Sequence, residues 1–151
     1  MPPGPYPVRR PLRHEPPNWV KQDAVYFVTI CAKTRGKNQL CTDETGLPLL
    51  ETLRQAEQLR YWWIFTAVLM PDHLHMLVSF PPEPGMKEVV RSWKRFAARR
   101  FGIVWQDGFF DHRLRCEESV EEKGSYIEAN PVRAGLVKEI SDWPFRWLRE
   151  A

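Results

Sequence analysis

The chain has 151 residues, 43% of them hydrophobic and 27% charged, and its formal net charge of +3 at pH 7 is too small by itself to indicate a polyanionic partner. This length and composition suit one globular domain whose core needs no disulfide or metal to hold it together. We expect neither a membrane-spanning helix, because the longest apolar stretch, residues 61–70, is about half of the ~20 residues required, nor a secretory signal peptide.

The N-terminus predicts a Pro-rich arm over residues 1–18, because residues 1–17 hold seven of the 14 prolines. An extended arm that docks on the protein or its ligand and a disordered tail both fit this composition. The single domain then covers residues 19–151. Its first strand is predicted over residues 24–32, where β-branched and aromatic residues suggest burial on both faces.

Helical spacing of leucines from Leu49 to Leu59 predicts an amphipathic helix, with Pro48 in its first turn. Two β-prone runs follow, residues 62–69 and 73–80, and the turn signal between them predicts a hairpin.

The apolar positions from Met86 to Ala97 predict a second amphipathic helix. Residues 105–115 predict another short strand with a turn at Gly108, and residues 117–130 predict a third helix that ends at Pro131. The complete order of strand, helix, strand, strand, helix, strand and helix indicates an α+β sandwich of the split βαβ kind, with antiparallel pairing in the middle.

The three cysteines, Cys31, Cys41 and Cys116, are an odd number at wide spacing. This pattern forms neither a disulfide framework nor a Cys-x-x-Cys metal site. A reducing cytoplasm is the compartment that it favours.

His73 and His75 stand two apart on a predicted strand, so both imidazoles point to the same face. Such a pair can hold one metal ion, although two histidines that only satisfy local hydrogen bonds would fit the same pattern. Asp72 is expected on the opposite face by strand parity. No Cys or Glu nearby completes a structural zinc site, which favours a catalytic ion with open positions for substrate oxygens and water.

Tyr126 and Asn130 are four residues apart on the third predicted helix, so they lie on one face, about one turn from each other. A hydroxyl nucleophile and an oxygen ligand could then meet the same ion. The alternative is that Tyr126 is an ordinary core residue and that Asn130 ends the helix before Pro131.

These two elements together resemble the single-tyrosine HUH transposases, and more narrowly the REP-associated tyrosine transposases. The resemblance rests on Met70-Pro71-Asp72-His73-Leu74-His75 and on the later run from Tyr126 to Val137, and it covers residues 19–147. The segment from Trp105 to Arg113 also matches. Asp72 stands where Asn is frequent in the family.

The resemblance implies a ferredoxin-like, antiparallel sheet with helices packed on it, acting on single-stranded DNA in the bacterial nucleoid. It implies that Tyr126 attacks the scissile phosphate and becomes linked to the 5′ phosphate, and that His73 and His75 bind a divalent ion, Mg²⁺ or Mn²⁺, with Asn130 as third ligand. The expected DNA is a repeat-derived hairpin with a short flanking tag. Relatives include monomers and dimers, and we lean slightly towards a monomer.

Basic side chains of the second helix and of the strand that follows are expected to hold DNA phosphates. They are Arg91, Lys94, Arg95, Arg99, Arg100, Arg113 and Arg115. A solvated helix face is the alternative for the helical ones. Core packing is predicted for Trp93, Phe109 and Phe110, and the sequence leaves the role of His112 open.

Two other functions remain compatible with these residues. A domesticated transposase could bind repeat hairpins without cutting them. A metal-dependent phosphodiesterase could use metal-bound water as its nucleophile, with Tyr126 as a structural residue. A covalent link between protein and DNA separates the transesterase from both.

Overall fold

The computed structural model describes residues 17, 19–20, 24–115 and 118–148. The predicted N-terminal arm therefore lies outside the described residues except for Pro17. Within the described part of the chain, no helix is long and apolar enough to cross a membrane.

Four strands form one sheet in the order β2-β3-β1-β4, and all neighbouring strands are antiparallel. The strands are β1 (Tyr26–Cys31), β2 (Trp63–Met70), β3 (His73–Ser79) and β4 (Phe110–Arg113). The predicted hairpin is thus β2 and β3. This order of strands with helices packed on the sheet confirms the α+β, ferredoxin-like fold.

The helices are α1 (Gly46–Gln58), α2 (Met86–Phe101), α3 (Val120–Glu128) and the single-turn α4 (Asn130–Arg133), followed by a short 3₁₀ helix (Ile140–Asp142). Helices α1 and α2 share one core cluster with one face of the sheet. Helix α3 packs against β2 and β3 on the other face.

The larger core lies under α1 and α2 because alternate residues of each strand point to that face. Leu74, Met76 and Val78 of β3 are fully buried there. Trp93 of α2 is also fully buried, and its indole N–H donates to the Thr52 hydroxyl of α1 at 2.9 Å. This bond joins the two helices across the core, as a buried indole requires.

The second face carries a smaller apolar cluster, in which Leu77 and Val68 contact Ile127 of α3 and Trp143. His73 and His75 project from this same face, since they alternate with the core residues of β3. The cluster therefore fixes α3 beside the histidines. Strand β1 is less buried on this face than predicted, because Phe27 and Thr29 remain partly exposed.

Strand β4 is shorter than the predicted strand over residues 105–115. Trp105 makes an isolated bridge to Ala32, and a turn with Gly108 at φ +70° precedes β4. The Lys94 ammonium holds this turn by donating to the carbonyls of Gln106 (2.8 Å) and Gly108 (2.6 Å). The Gln106 and Gly108 carbonyls point towards α2, so the hydrogen-bonded pairing with β1 is interrupted between Trp105 and β4.

Helix α3 starts and ends inside the predicted range of 117–130. Its N-cap is Ser119, whose hydroxyl accepts the Glu122 N–H at 3.2 Å; residue 117 lies outside the described part. The helix ends at Glu128, and the chain continues into α4 with Pro131 in the first turn. The predicted end at residue 130 is thus two residues late, and Pro131 lies in the first turn of α4, a position that it tolerates because the first helical N–H groups need no helical partner.

The C-terminal segment pairs with the outer edge of β2. The Leu69 N–H donates to the Phe145 carbonyl at 2.9 Å, and the Trp147 N–H donates to the Ala67 carbonyl at 2.7 Å. Between them Val68 and Arg146 form an antiparallel bridge. Residues 145–147 thus extend the sheet beyond β2 as a short segment that is not a regular strand.

Candidate functional site

The two histidines of β3 converge on one point. Their Nε2 atoms are 3.1 Å apart, and the His73 side chain is only 15% exposed. Two nitrogens that each lie about 2.1 Å from one ion are ~3.0–3.4 Å apart in octahedral or tetrahedral geometry. The observed separation fits a shared divalent ion, and it equally fits a hydrogen bond between the two rings.

The opposite nitrogens of the two rings are already occupied. His73 Nδ1 lies 2.6 Å from Asp72 Oδ1, and His75 Nδ1 lies 2.8 Å from the Thr29 hydroxyl. An ionised carboxylate only accepts hydrogen bonds, so His73 carries a proton at Nδ1, and in its neutral form the ring presents a lone pair at Nε2. When His75 Nδ1 likewise donates to Thr29, both lone pairs meet at the point where a metal would lie.

The electrostatics of His75 favour the neutral ring that a metal needs. Burial, with smaller contributions from the neighbouring His73 and from the charges of Arg133 and Arg35, lowers the pKa of His75 to about 4. Among the described residues, no group of three or more His, Cys, Asp or Glu side chains is placed to hold one metal ion. An ion held by this pair alone would keep further coordination positions for oxygen ligands.

Asp72 does not point away from His73, so the prediction from strand parity was wrong. The residue lies in the turn before β3, where the alternation of a strand does not apply. Its carboxylate receives the Arg35 guanidinium at 2.9 Å and the Gly36 N–H at 2.8 Å, besides its contact with His73. Partial burial opposes ionisation, but these hydrogen bonds and the Arg35 charge hold the pKa of Asp72 below its usual range.

We expect Asp72→Ala to weaken Mn²⁺ binding about 10- to 100-fold, because the Asp72 carboxylate, in contact with His73 Nδ1, fixes the tautomer of that ring. Asp72→Asn should bind nearly as well as the wild type, since the amide oxygen still accepts the Nδ1–H. Titration calorimetry with Mn²⁺ measures both. Arg35→Gln is the control that breaks the ion pair and leaves the carboxylate on His73. Wild-type affinity in Asp72→Ala would contradict this role.

Tyr126 lies on the exposed side of α3, and its side chain is 57% exposed. Its neighbour Ile127 is buried against the sheet, and a Cβ at Gly124 would already touch Thr66 Cγ2 at 3.6 Å. The helix is thus seated closely on β2, with the phenol directed to solvent. The interpretation of Tyr126 as an ordinary core residue was wrong.

Arg133 connects Tyr126 with Asn130. Its guanidinium carbon lies 3.8 Å from the centre of the Tyr126 ring, and its Nη2 donates to Asn130 Oδ1 at 3.3 Å. Tyr126 and Asn130 therefore share one side of the bent helical segment, although the helix breaks between them. Sequence reasoning gave Arg133 no role, yet its spacing of seven residues from Tyr126 is two helical turns and could have revealed it.

The predicted basic side chains divide between α2 and the β4 edge. Arg91, Arg95, Arg99 and Arg100 are exposed on α2, whose apolar side packs on the face of the sheet opposite the histidines. Arg113 and Arg115 are exposed at and just after β4. A cleft of about 400 Å³ lies between α2 and the start of β4, lined by Lys87, Arg91, Lys94, Gly108, Phe109 and Asp111.

Two of the three aromatic residues predicted in the core lie there, and the third does not. Trp93 is fully buried and Phe109 packs against the main core, as predicted. Phe110 is 67% exposed, so its prediction as a core residue was wrong. It lies on an edge strand, on the face where α3 covers only β2 and β3. His112 pairs with Glu118, with 3.1 Å between Nε2 and Oε1.

Comparison with known proteins places this geometry in a family. The chain is 28% identical to a REP-associated tyrosine transposase of Escherichia coli K12 over 123 residues, which cover 80% of this chain and 73% of that protein. It is 29% identical to the ISDra2 transposase TnpA of Deinococcus radiodurans over 80 residues, which cover 53% of this chain and 56% of that protein.

A solved REP-associated tyrosine transposase bound to a REP hairpin has the same fold. The TM-score is 0.70 at 27% identity, and the match covers 82% of this chain and 76% of the other. The family model of IS200-like transposases matches residues 21–130, which include both histidines and Tyr126. The chain therefore belongs to the IS200-like transposase family and, within it, resembles the REP-associated tyrosine transposases.

Proposed function

We propose that the chain is a divalent-metal-dependent transesterase that cleaves and rejoins single-stranded DNA near repeat-derived hairpins. The observation that carries the proposal is the histidine pair, with Nε2 atoms 3.1 Å apart, on the sheet face against which the helix of Tyr126 packs. The relative solved with a REP hairpin supports hairpin DNA as the partner.

In the proposed reaction, the Tyr126 phenol oxygen forms a bond to the scissile phosphorus. The bond from phosphorus to the 3′ oxygen of the preceding nucleotide breaks, and the proton lost by the phenol is balanced by the one gained at that oxygen. The products are a 5′-phosphotyrosine and a free 3′ hydroxyl. Because one phosphodiester replaces another, the reverse reaction can rejoin a strand without ATP.

His73, His75 and Asn130 are the residues that would hold the ion. When bound, a divalent ion supplies Lewis-acid stabilisation of the charge that develops on the phosphate oxygens. Asp72 and Thr29 orient the two imidazoles through their Nδ1 atoms. Arg133 holds the Tyr126 ring by stacking on it and supplies a positive charge beside the position of the phosphate.

The DNA path that suits this surface crosses the β4 edge. The basic face of α2 and the histidine pair lie on opposite faces of the sheet, so one ligand reaches both only by passing around an edge. The C-terminal segment pairs with the β2 edge from Ala67 to Leu69, whereas β4 exposes Arg113. A hairpin stem on α2 and a single-stranded flank on the histidine face would satisfy both sites.

Covalent trapping tests the proposal. Hairpin oligonucleotides with randomised single-stranded flanks, labelled separately at the 5′ and 3′ ends, are incubated with wild-type protein and Mn²⁺ and run on a denaturing gel. We expect a protein–DNA adduct that keeps the 3′-end label, and a released fragment with a free 3′ hydroxyl. The same flanks in plain duplex and a sample with EDTA should give no adduct.

The other outcomes distinguish the remaining functions. Tight hairpin binding without cleavage would indicate a non-cleaving repeat-binding protein. Metal-dependent cleavage without any adduct would indicate hydrolysis by water, with Tyr126 in a structural role. Either result would overturn the transesterase proposal.

Hairpin affinity should fall steeply with salt, because phosphate contacts release counterions. Replacing Arg95 and Arg99 by Gln should flatten the plot of log affinity against log salt by about 1 per lost contact. Fluorescence anisotropy with a labelled hairpin measures the slope. Arg60→Gln, which removes a charge outside α2, should leave it unchanged; an unaltered slope in the double variant would exclude α2 from the interface.

A further inference from the structure

The face that carries His75 extends beyond the histidine pair onto β1 and β4. In the sheet register, His75 pairs with Thr29, and Thr29 pairs on its other side with Phe110. Directly paired residues of antiparallel strands project to the same face. The Phe110 ring therefore lies in the same row as His75, two strand spacings or about 10 Å away.

This part of the face is open. Helix α3 packs on β2 and β3, and Thr29 is only partly buried. Phe110 is 67% exposed, the largest exposed fraction among the large hydrophobic side chains of the described residues. An aromatic ring exposed to water forgoes the free energy of apolar burial. Exposed apolar surface next to a polar site is typical of a ligand-binding surface.

The row from His75 to Phe110 is apolar at the Phe110 end and charged at the histidine end. His112, the next residue on the same face, has its Nε2 engaged by Glu118. Positive charge lies instead towards the histidine end of the row, on the Arg133 guanidinium that stacks on Tyr126 and donates to Asn130, whereas the Arg35 charge is paired with Asp72. An occupant of the whole row would therefore be anionic at the histidines and flat and apolar at Phe110.

We propose that Phe110 is a stacking platform for an unpaired nucleobase that flanks the scissile phosphate. This inference rests on the proposed function and adds a binding subsite to it. A nucleotide has the required shape, because a sugar separates its anionic phosphate from its flat base. The phosphate can lie at the histidines while the base lies on Phe110. Stacking of bases on aromatic side chains is a general means of binding single strands and tolerates any base.

The test uses Phe110→Val, which keeps strand propensity and an apolar side chain but removes the aromatic face. We expect this variant to bind the cleavable hairpin about 5- to 100-fold more weakly and Phe110→Trp to bind as the wild type does. Leu47→Ala is the matched control, because Leu47 is 57% exposed on α1, on the opposite layer. All three should unfold at the wild-type temperature, since the side chains are exposed.

An abasic nucleotide, placed in turn at each position beside the mapped cleavage site, identifies the stacked base. At one position it should weaken binding by the wild type and have no further effect in Phe110→Val. Equal weakening in both proteins at every position, or full affinity in Phe110→Val, would overturn the platform. Adduct formation by the wild type is scored separately, so the subsite can fail while the transesterase proposal stands.

Discussion

Tyr126→Phe should lower the rate of DNA cleavage by at least about 10³-fold and abolish the covalent adduct, because only the attacking oxygen is removed. The ring stays available to the Arg133 guanidinium, 3.8 Å from its centre, and the side chain is already 57% exposed. The free energy of unfolding should therefore change by no more than about 0.5 kcal/mol. Single-turnover cleavage of an end-labelled hairpin measures the rate.

Tyr126→Phe should bind hairpin DNA with wild-type affinity. This measurement distinguishes a loss of cleavage chemistry from a loss of DNA binding. Ser125→Ala is the control on the adjacent position, since Ser125 is also exposed on α3. Cleavage by Tyr126→Phe near the wild-type rate would assign the attack to water and would reject the phenol as nucleophile.

His75→Gln should weaken Mn²⁺ binding by more than about 100-fold and reduce cleavage accordingly, because one of two converging nitrogens is lost. Glutamine is preferred to alanine here, since the half-buried ring packs edge-on against Phe27 with centroids 5.3 Å apart, and alanine would leave a cavity. Calorimetry with Mn²⁺ and single-turnover cleavage over a range of metal concentrations provide the two measurements.

Thr29→Val is the matched control, because it removes only the hydroxyl at His75 Nδ1. We expect a milder loss of about 10- to 100-fold in metal affinity, recovered at high Mn²⁺ concentration. Cleavage by His75→Gln that equals the wild type, or that continues in a chelator, would remove the histidine pair from the reaction.

The order of elements and the shared face of His73 and His75 could be predicted from the sequence, because both follow from periodicity along one segment. The orientation of Asp72 could not. It depends on the turn between β2 and β3 and on Arg35, whose guanidinium approaches it from 37 positions away in the chain. Periodicity carries no information about either.

Phe110 shows a second limit of sequence reasoning. A phenylalanine in a β-prone run normally indicates core, but burial depends on whether a second layer covers that part of the sheet. Helix α3 covers β2 and β3 and stops short of β4, which is a property of the assembled fold. The contact of Arg133 with Tyr126 was within reach of sequence reasoning, since a spacing of seven residues is two helical turns.

The pairing of the C-terminal segment with β2 also bears on how the protein avoids aggregation. Strand β2 is almost wholly apolar, and an uncovered apolar edge would recruit strands from other molecules. Residues 145–147 occupy the outward backbone groups of Ala67 and Leu69, while the opposite edge, β4, is only four residues long and exposes Asp111 and Arg113. Within the described sheet, one edge is thus capped and the other is short and charged, so open-ended growth of the sheet between copies is disfavoured from both sides.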